Sequence, residues 1–258
     1  MTAQVEFFNP NEVKSNCTFD FTTANVDNAA FLYDNDVLTT LSSDASADGD
    51  NEALKVMFAS SRTIDFIGVF GHNFKTGNVK YLDADMVEQD FTPAIAWTAN
   101  TTSHNDAFYV TEVACYGVVV NCTHTIDGAE KAIGELRALD RFAVLPSPKD
   151  FKPSLNIAQN LKTKYDGGKD KIIDGVKFVA TIGFDDLSDA NVETLFSLAE
   201  RGRPFYVYLA SLSTDNTKRF FRKQDQYLVN MTNDPKPKLP DNLVDDITWE
   251  ADIKVEEV

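Results

Sequence analysis

The sequence predicts a mainly β protein, with an antiparallel β-sandwich over residues 1–145 followed by a small α+β domain over residues 146–258. Three observations predict it. Apolar runs of strand length, separated by polar segments rich in turn residues, recur through the first half. The second half sets one amphipathic helical stretch among strand-like runs. The chain is 43% hydrophobic and 11% aromatic, with Phe the commonest aromatic at 19 copies, which favours strands around a substantial core.

The elements follow in order. Val5, Phe7 and Phe8 form an apolar pulse before Asn9 and Pro10, read as an extended arm or edge strand. The packed body begins at residues 31–33, and residues 41–51 make a loop of Ser, Asp and Gly. Residues 54–58 alternate with charge and read as a strand; residues 64–70 are continuously apolar, which fits a strand covered on both faces. Residues 78–82, 108–115 and 116–122 follow as strands, with Gly117 marking a bulge or bend between the last two. Residues 133–139 close this half, and seven or more short strands make an antiparallel sandwich. Residues 143–148 hold Pro146 and Pro148 and read as a stiff connector.

Beyond it, residues 172–184 are strand-like. Ser188 caps a helix whose first turn is assisted by Asp189; Val192, Leu195, Phe196 and Ala199 share a face, and Gly202 stops it. Strands over 204–210 and 227–231 come next. The final segment alternates Ile247, Trp249, Ala251, Ile253 and Val255 with Thr248, Glu250, Asp252, Lys254 and Glu256, the pattern of a half-buried antiparallel strand.

The net charge is −16, and residues 1–145 carry −13 of it. Such a surface repels phosphate backbones and anionic lipid, so nucleic-acid binding is not expected. The start of the chain lacks a basic segment followed by an apolar one, and no apolar run is long enough to span a bilayer, so neither a leader nor membrane insertion is expected. Cys17, Cys115 and Cys122 form no framework and read as reduced thiols of a protein made in a cytoplasm.

Chemistry-bearing patterns are few. The sequence has no His-Glu-x-x-His, Cys-x-x-Cys, Gly-x-Ser-x-Gly or phosphate-cradling glycine loop. Asp44, Ser46, Asp48 and Gly49 imitate the start of a calcium loop, but Lys55 stands where the bidentate Glu belongs; a looser cation site from Asp34, Asp36 and Asp48 stays open. Asp34 and Asp36 lie on one side of an extended chain, a pairing that by itself does not make a hydrolase. His72 and Asn73 follow a buried strand, where they either meet a ligand at the end of the sandwich or bond to backbone in a turn. Residues 217–223 interleave Lys, Arg and Phe, a pattern found in nucleic-acid contacts; in so acidic a chain it reads instead as a protein-contact patch or a helix start with Phe inward. The candidate ligand-binding residues are therefore Asp34, Asp36, His72 and Asn73; no catalytic residue, metal or cofactor is predicted.

Four pieces carry a resemblance: residues 33–36, residues 62–65 leading into 67–73, residues 116–120 and residues 133–136. In their order and spacing, over roughly residues 30–140, they resemble discoidin-type, galactose-binding-like jelly rolls in the divergent form of bacteriophage virion proteins. The resemblance implies a sandwich whose loops at one end bind glycans, other surfaces or a structural calcium, with Asp34 and Asp36 at the loop side. Residues 198–205 and the alternating final strand look like the small α+β domains of phage tail-associated proteins. The implied function is a structural virion protein of a tail, collar or baseplate. It would be made in the host cytoplasm and assembled into the virion with other virion proteins as a homo-oligomer or ring, and would touch a host surface glycan. The alternative is a free carbohydrate-binding module without catalytic activity.

Overall fold

The computed structural model describes residues 5–24, 26–34, 38–43, 49–102, 104–126, 128, 130–146, 148–163, 169–209, 227–238 and 249–257. The protein is mainly β, with antiparallel pairing between its strands and a single α-helix among the described residues. Its strands are β1 (Val5–Phe8), β2 (Thr18–Phe21), β3 (Leu41–Ser42), β4 (Glu52–Phe70), β5 (Phe74–Leu82), β6 (Glu88–Trp97), β7 (Asn105–Thr125), β8 (Ala132–Ile133), β9 (Glu135–Leu139), β10 (Arg141–Leu145), β11 (Asp150–Thr163), β12 (Lys169–Leu187), β13 (Phe205–Leu209), β14 (Tyr227–Met231) and β15 (Trp249–Glu257). A 3-10 helix spans Val26–Leu32 and the α-helix, α1, spans Asp189–Glu200. The chain divides into two compact units, Asn9–Arg141 and Met1–Phe8 with Phe142–Val258, each with its own hydrophobic core.

The unit Asn9–Arg141 is built on two long strands. The sheet runs β2-β4-β7-β5-β6, with β9 also beside β4, and β3 pairs with β8. The stretches expected as separate strands on either side of residue 60 are one strand, β4, and those on either side of Gly117 are also one, β7. Glu52 to Met57 pair with Cys122 to Gly117; the register then breaks, and Arg62 to Phe70 pair with Cys115 to Asn105. A Cβ on Gly117 would lie 2.4 Å from the Val56 carbonyl oxygen, so glycine permits the close approach at this break. Both stretches feed one core, Leu54, Val56, Val118 and Val120 from the first and Ile67, Val69 and Val110 from the second, with Leu136 from β9. The result is a sandwich folded from continuous strands. Strand β6 is an edge strand, and Pro93 falls in its irregularity, where residues 91–94 have no partner on β5, so it costs no ladder bond.

The other unit is a seven-stranded sheet of order β10-β1-β13-β14-β15-β12-β11. Its core takes Val5 and Phe7 from β1, Phe178, Ala180 and Ile182 from β12, and Ile253 and Val255 from β15. The N-terminal arm, expected to belong with residues 1–145, is β1 of this sheet, because Val5–Phe8 pairs with Leu209 to Tyr206. The expected connector is β10 up to Leu145, whose side chain is fully buried. Ser188 caps α1 by accepting from the Asn191 N–H, and Gly202, at φ +59°, follows its end. The buried face is Val192, Leu195 and Leu198; Phe196, expected inward, is 44% exposed because it lies about 100° around the helix from Leu195. The cluster expected at residues 217–223, the acidic loop at 44–48 and the start of the final alternation at Ile247 lie outside the described residues.

Candidate functional site

In the unit Asn9–Arg141 the loops converge at one end. The run Ile64 to Phe70 is buried on both faces and stops at Gly71, whose φ of +64° suits glycine. His72 follows and is 1% exposed. Its Nδ1 accepts from the Phe74 N–H (3.1 Å), so the proton sits on Nε2, which donates to Asp106 Oδ2 (3.0 Å). The same oxygen accepts from Trp97 Nε1–H (2.8 Å). The imidazole lies 4.9 Å from the Phe74 ring and 5.1 Å from the Trp97 ring, and Phe108 meets Trp97 edge-on at 5.8 Å. This is a polar knot inside an aromatic box.

The backbone around it is tied on every side. His72 N–H donates to the His104 carbonyl (3.0 Å), while the His72 carbonyl accepts from His104 Nδ1–H (2.7 Å). Gly71 N–H donates to Asn105 Oδ1. Asn73 donates from Nδ2 to the Glu130 carbonyl (2.7 Å) and accepts at Oδ1 from the Ala132 N–H (2.9 Å). Asn100 holds the Phe74 carbonyl through Nδ2 (2.8 Å). Ser43 exchanges bonds with Lys131, continuing the β3–β8 pairing. Glu52, 2% exposed, accepts from the N–H groups of Thr23 (3.0 Å) and Ala24 (3.3 Å) and from the Thr23 hydroxyl. A cavity of about 10 Å³ between Ser43, Glu52, Lys131 and Cys122 is too small for anything larger than a water molecule.

The four residues singled out from the sequence thus have different fates. His72 and Asn73 come together, but they hold loops: one is buried with both ring nitrogens engaged, and the other spends its amide on the backbone of Glu130 and Ala132. Asp34 is exposed after the 3-10 helix and accepts from the Thr39 hydroxyl (2.6 Å). Asp36 lies outside the described residues. Sequence reading missed Asp106, Trp97, Asn100 and Glu52. Trp97 was the one available signal, as one of only two tryptophans. No cluster of three metal-ligating side chains occurs among the described residues. Burial pushes the Cys115 thiol up to about 11, which makes it a poor nucleophile.

What the locked loops leave facing solvent is polar apart from Ala99. Thr98, Thr101, Thr102, His104, His124 and Glu130 are exposed around the knot.

No protein family matches the chain, and no curated protein matches it. Among solved structures, the family 32 carbohydrate-binding module of NanJ from C. perfringens, in complex with galactose, is 14% identical over 53% of this chain and 99% of its own, with a TM-score of 0.41. Chitosan-binding module 1 of a Paenibacillus sp. IK-5 chitosanase/glucanase is 15% identical over 50% of this chain and 98% of its own, at 0.40. The SpGH29 structure is 16% identical over 51% of this chain, at 0.40, and the match spans 28% of that chain's length.

Proposed function

We propose that the chain is a non-catalytic binding protein whose unit Asn9–Arg141 recognises a neutral carbohydrate at its loop end. The observation that carries this reading is the knot of His72, Asp106 and Trp97 with the ties around it. It fixes the backbone beneath a rim of Thr, His and Glu side chains before any ligand arrives. Sugars are held by many directional hydrogen bonds, and groups already ordered make those bonds without a further entropy cost. The charge of −13 on residues 1–145 disfavours polyanions and leaves neutral glycans as the fitting class. A glycan array probed with the full chain tests it. Selective binding of neutral glycans, weakened roughly tenfold by His104→Ala or Thr101→Ala, is expected. Absence of any glycan binding overturns the reading.

We keep as a second reading a structural virion protein of a bacteriophage tail, collar or baseplate, which the resemblance of the sequence implies. The unit Asn9–Arg141 is inserted between β1 and β10, neighbouring strands of the seven-stranded sheet. In this reading the sheet unit assembles with copies of itself and other virion proteins, and the insert makes the surface contact.

A further inference from the structure

A cavity of about 230 Å³ lies on the seven-stranded sheet, over the cross-strand row Asp150, Gly183 and Asp252. The row faces away from the core, because its chain neighbours Ile182, Ala251 and Ile253 face in. A Cβ on Gly183 would lie 2.8 Å from Asp252 Oδ1 and 3.2 Å from Asp150 Cβ, so a side chain there would crowd the floor. The side wall is the segment after β14. Thr232 N–H donates to the Lys254 carbonyl (2.8 Å), and Lys238 and Glu250 exchange backbone bonds (2.8 and 2.9 Å). Between these ties residues 233–237 pass opposite 251–253 alone, so the segment bows off the edge of β15. Pro235 and Pro237 restrict its backbone, and Lys236 and Lys238, two apart, both line the cavity.

Some charged groups at the rim are already matched. Lys149 Nζ lies 3.5 Å from both Asp185 Oδ2 and Glu250 Oε1, and Lys152 Nζ lies 2.8 Å from Asp150 Oδ2. Others are not. Among the described residues, the Lys236 and Lys238 ammonium groups and the Asp252 carboxylate make no hydrogen bond or ion pair. The Asp252 N–H joins them. Its own carbonyl accepts from Asn233 Nδ2 (3.1 Å), and in an antiparallel strand the N–H and carbonyl of one residue share an edge. That N–H therefore faces the bowed segment, and it meets no acceptor among the described residues. Two cations, one anion and one neutral donor thus stand unmatched around a single cavity.

We propose that this cavity binds a small zwitterion with surplus negative charge, in chemical class an acidic α-amino acid. The two carboxylates of the ligand meet Lys236 and Lys238, and its ammonium meets the Asp252 carboxylate. The Asp252 N–H donates to a ligand carboxylate oxygen. Such a molecule answers every unmatched group by sign. A plain anion would face Asp252 as a like charge, and a neutral sugar would leave both lysines without a counter-charge. Clefts for drug-sized ligands run to about 300–1,000 Å³, so this one suits a smaller molecule. The prolines order the lysine-bearing segment before binding, which lowers the entropy cost of capture. The site belongs to the unit of Met1–Phe8 with Phe142–Val258, so its failure leaves the carbohydrate reading untouched.

Isothermal titration calorimetry of the full chain with L-glutamate tests the site. Binding is expected, and it weakens as salt rises because the contacts are exposed ion pairs. N-acetyl-L-glutamate lacks the ammonium and inorganic phosphate is a plain anion; each is expected to bind roughly tenfold more weakly or worse. Lys236→Gln with Lys238→Gln is expected to weaken glutamate binding roughly tenfold or more at unchanged circular dichroism, since both side chains are exposed. Asp252→Asn separates the two charge patterns. It is expected to weaken glutamate, whereas at a plain anion site the loss of a negative charge strengthens binding. No glutamate binding, equal binding of N-acetylglutamate or phosphate, or glutamate binding that either variant leaves unchanged or tighter overturns the proposal.

Discussion

Asp106 carries more of the loop end than any residue flagged from the sequence. One of its oxygens takes both the His72 Nε2–H and the Trp97 Nε1–H, and its side chain is only 13% exposed. Removing it strands two donors in an aromatic box. Asp106→Ala is expected to destabilise the unit by about 2–4 kcal/mol, since each buried donor left unmet costs about 1–3 kcal/mol. Trp97→Phe keeps a ring in the box and deletes one donor, so its cost should be the smaller of the two. The two tryptophans fall one in each unit, so Trp97 fluorescence in a Trp249→Phe background reports urea unfolding of this unit alone. Equal stability of Asp106→Ala and its parent would count against the knot. The Gly71–Asn73 turn was legible because glycine, histidine and asparagine after a buried run is local chemistry. Asp106 was not, because it lies 34 positions from His72 and nothing around it in sequence marks it.

Among the elements, the turn between β5 and β6 is closed by one side chain. Asp83 Oδ1 accepts from the N–H groups of Asp85 (3.0 Å) and Val87 (2.9 Å), and Oδ2 accepts from Gln89 Nε2 (2.9 Å). The Val87 N–H, then the Gln89 amide, hold its carboxyl below the ordinary value of 3.8. The unfolded chain therefore takes up this proton first on acidification. The stabilisation is complete above 3.8 and is lost as pH falls through the lower folded value. Asp83→Ala should lower Tm at neutral pH, with the gap to the parent closing below 3.8 in melts across a pH series. A gap that widens on acidification contradicts this. Elements with local stop signals were readable in the same way: Ser188 and Gly202 delimit α1 as expected. Partners were not. The residues of β1 read as apolar, but the strand they meet, Phe205–Leu209, lies some two hundred positions on, and no periodicity within four residues points there.

For the whole molecule, the consequence of insertion is that both ends of the unit Asn9–Arg141 must meet, and they are pinned where they do. Asn9 N–H donates to the Asp140 carbonyl (2.9 Å) and its Nδ2 to Asp140 Oδ2 (2.6 Å). Asn11 donates from Nδ2 to the Leu136 carbonyl and accepts at Oδ1 from the N–H groups of Val13 and Ala138. Glu12 N–H adds a bond to the Ala138 carbonyl. This clasp lies within the unit, as does the core that runs from Val13 to Ala138. Cutting the chain at residues 8 and 142 leaves both intact. The fragment 9–141 is expected to fold alone and to unfold cooperatively, with Trp97 as the reporter, because a domain with its own core and adjacent termini needs no host. Conversely, Phe8 joined to Phe142 by a short Gly-Ser linker should keep the seven-stranded sheet, since β1 and β10 already lie side by side. A fragment 9–141 without a cooperative transition would show that the clasp and core are not sufficient. Asn11→Ala removes three of the clasp's bonds. If the fragment folds, the same substitution should destabilise it more than the full chain, because there the clasp is all that joins the ends.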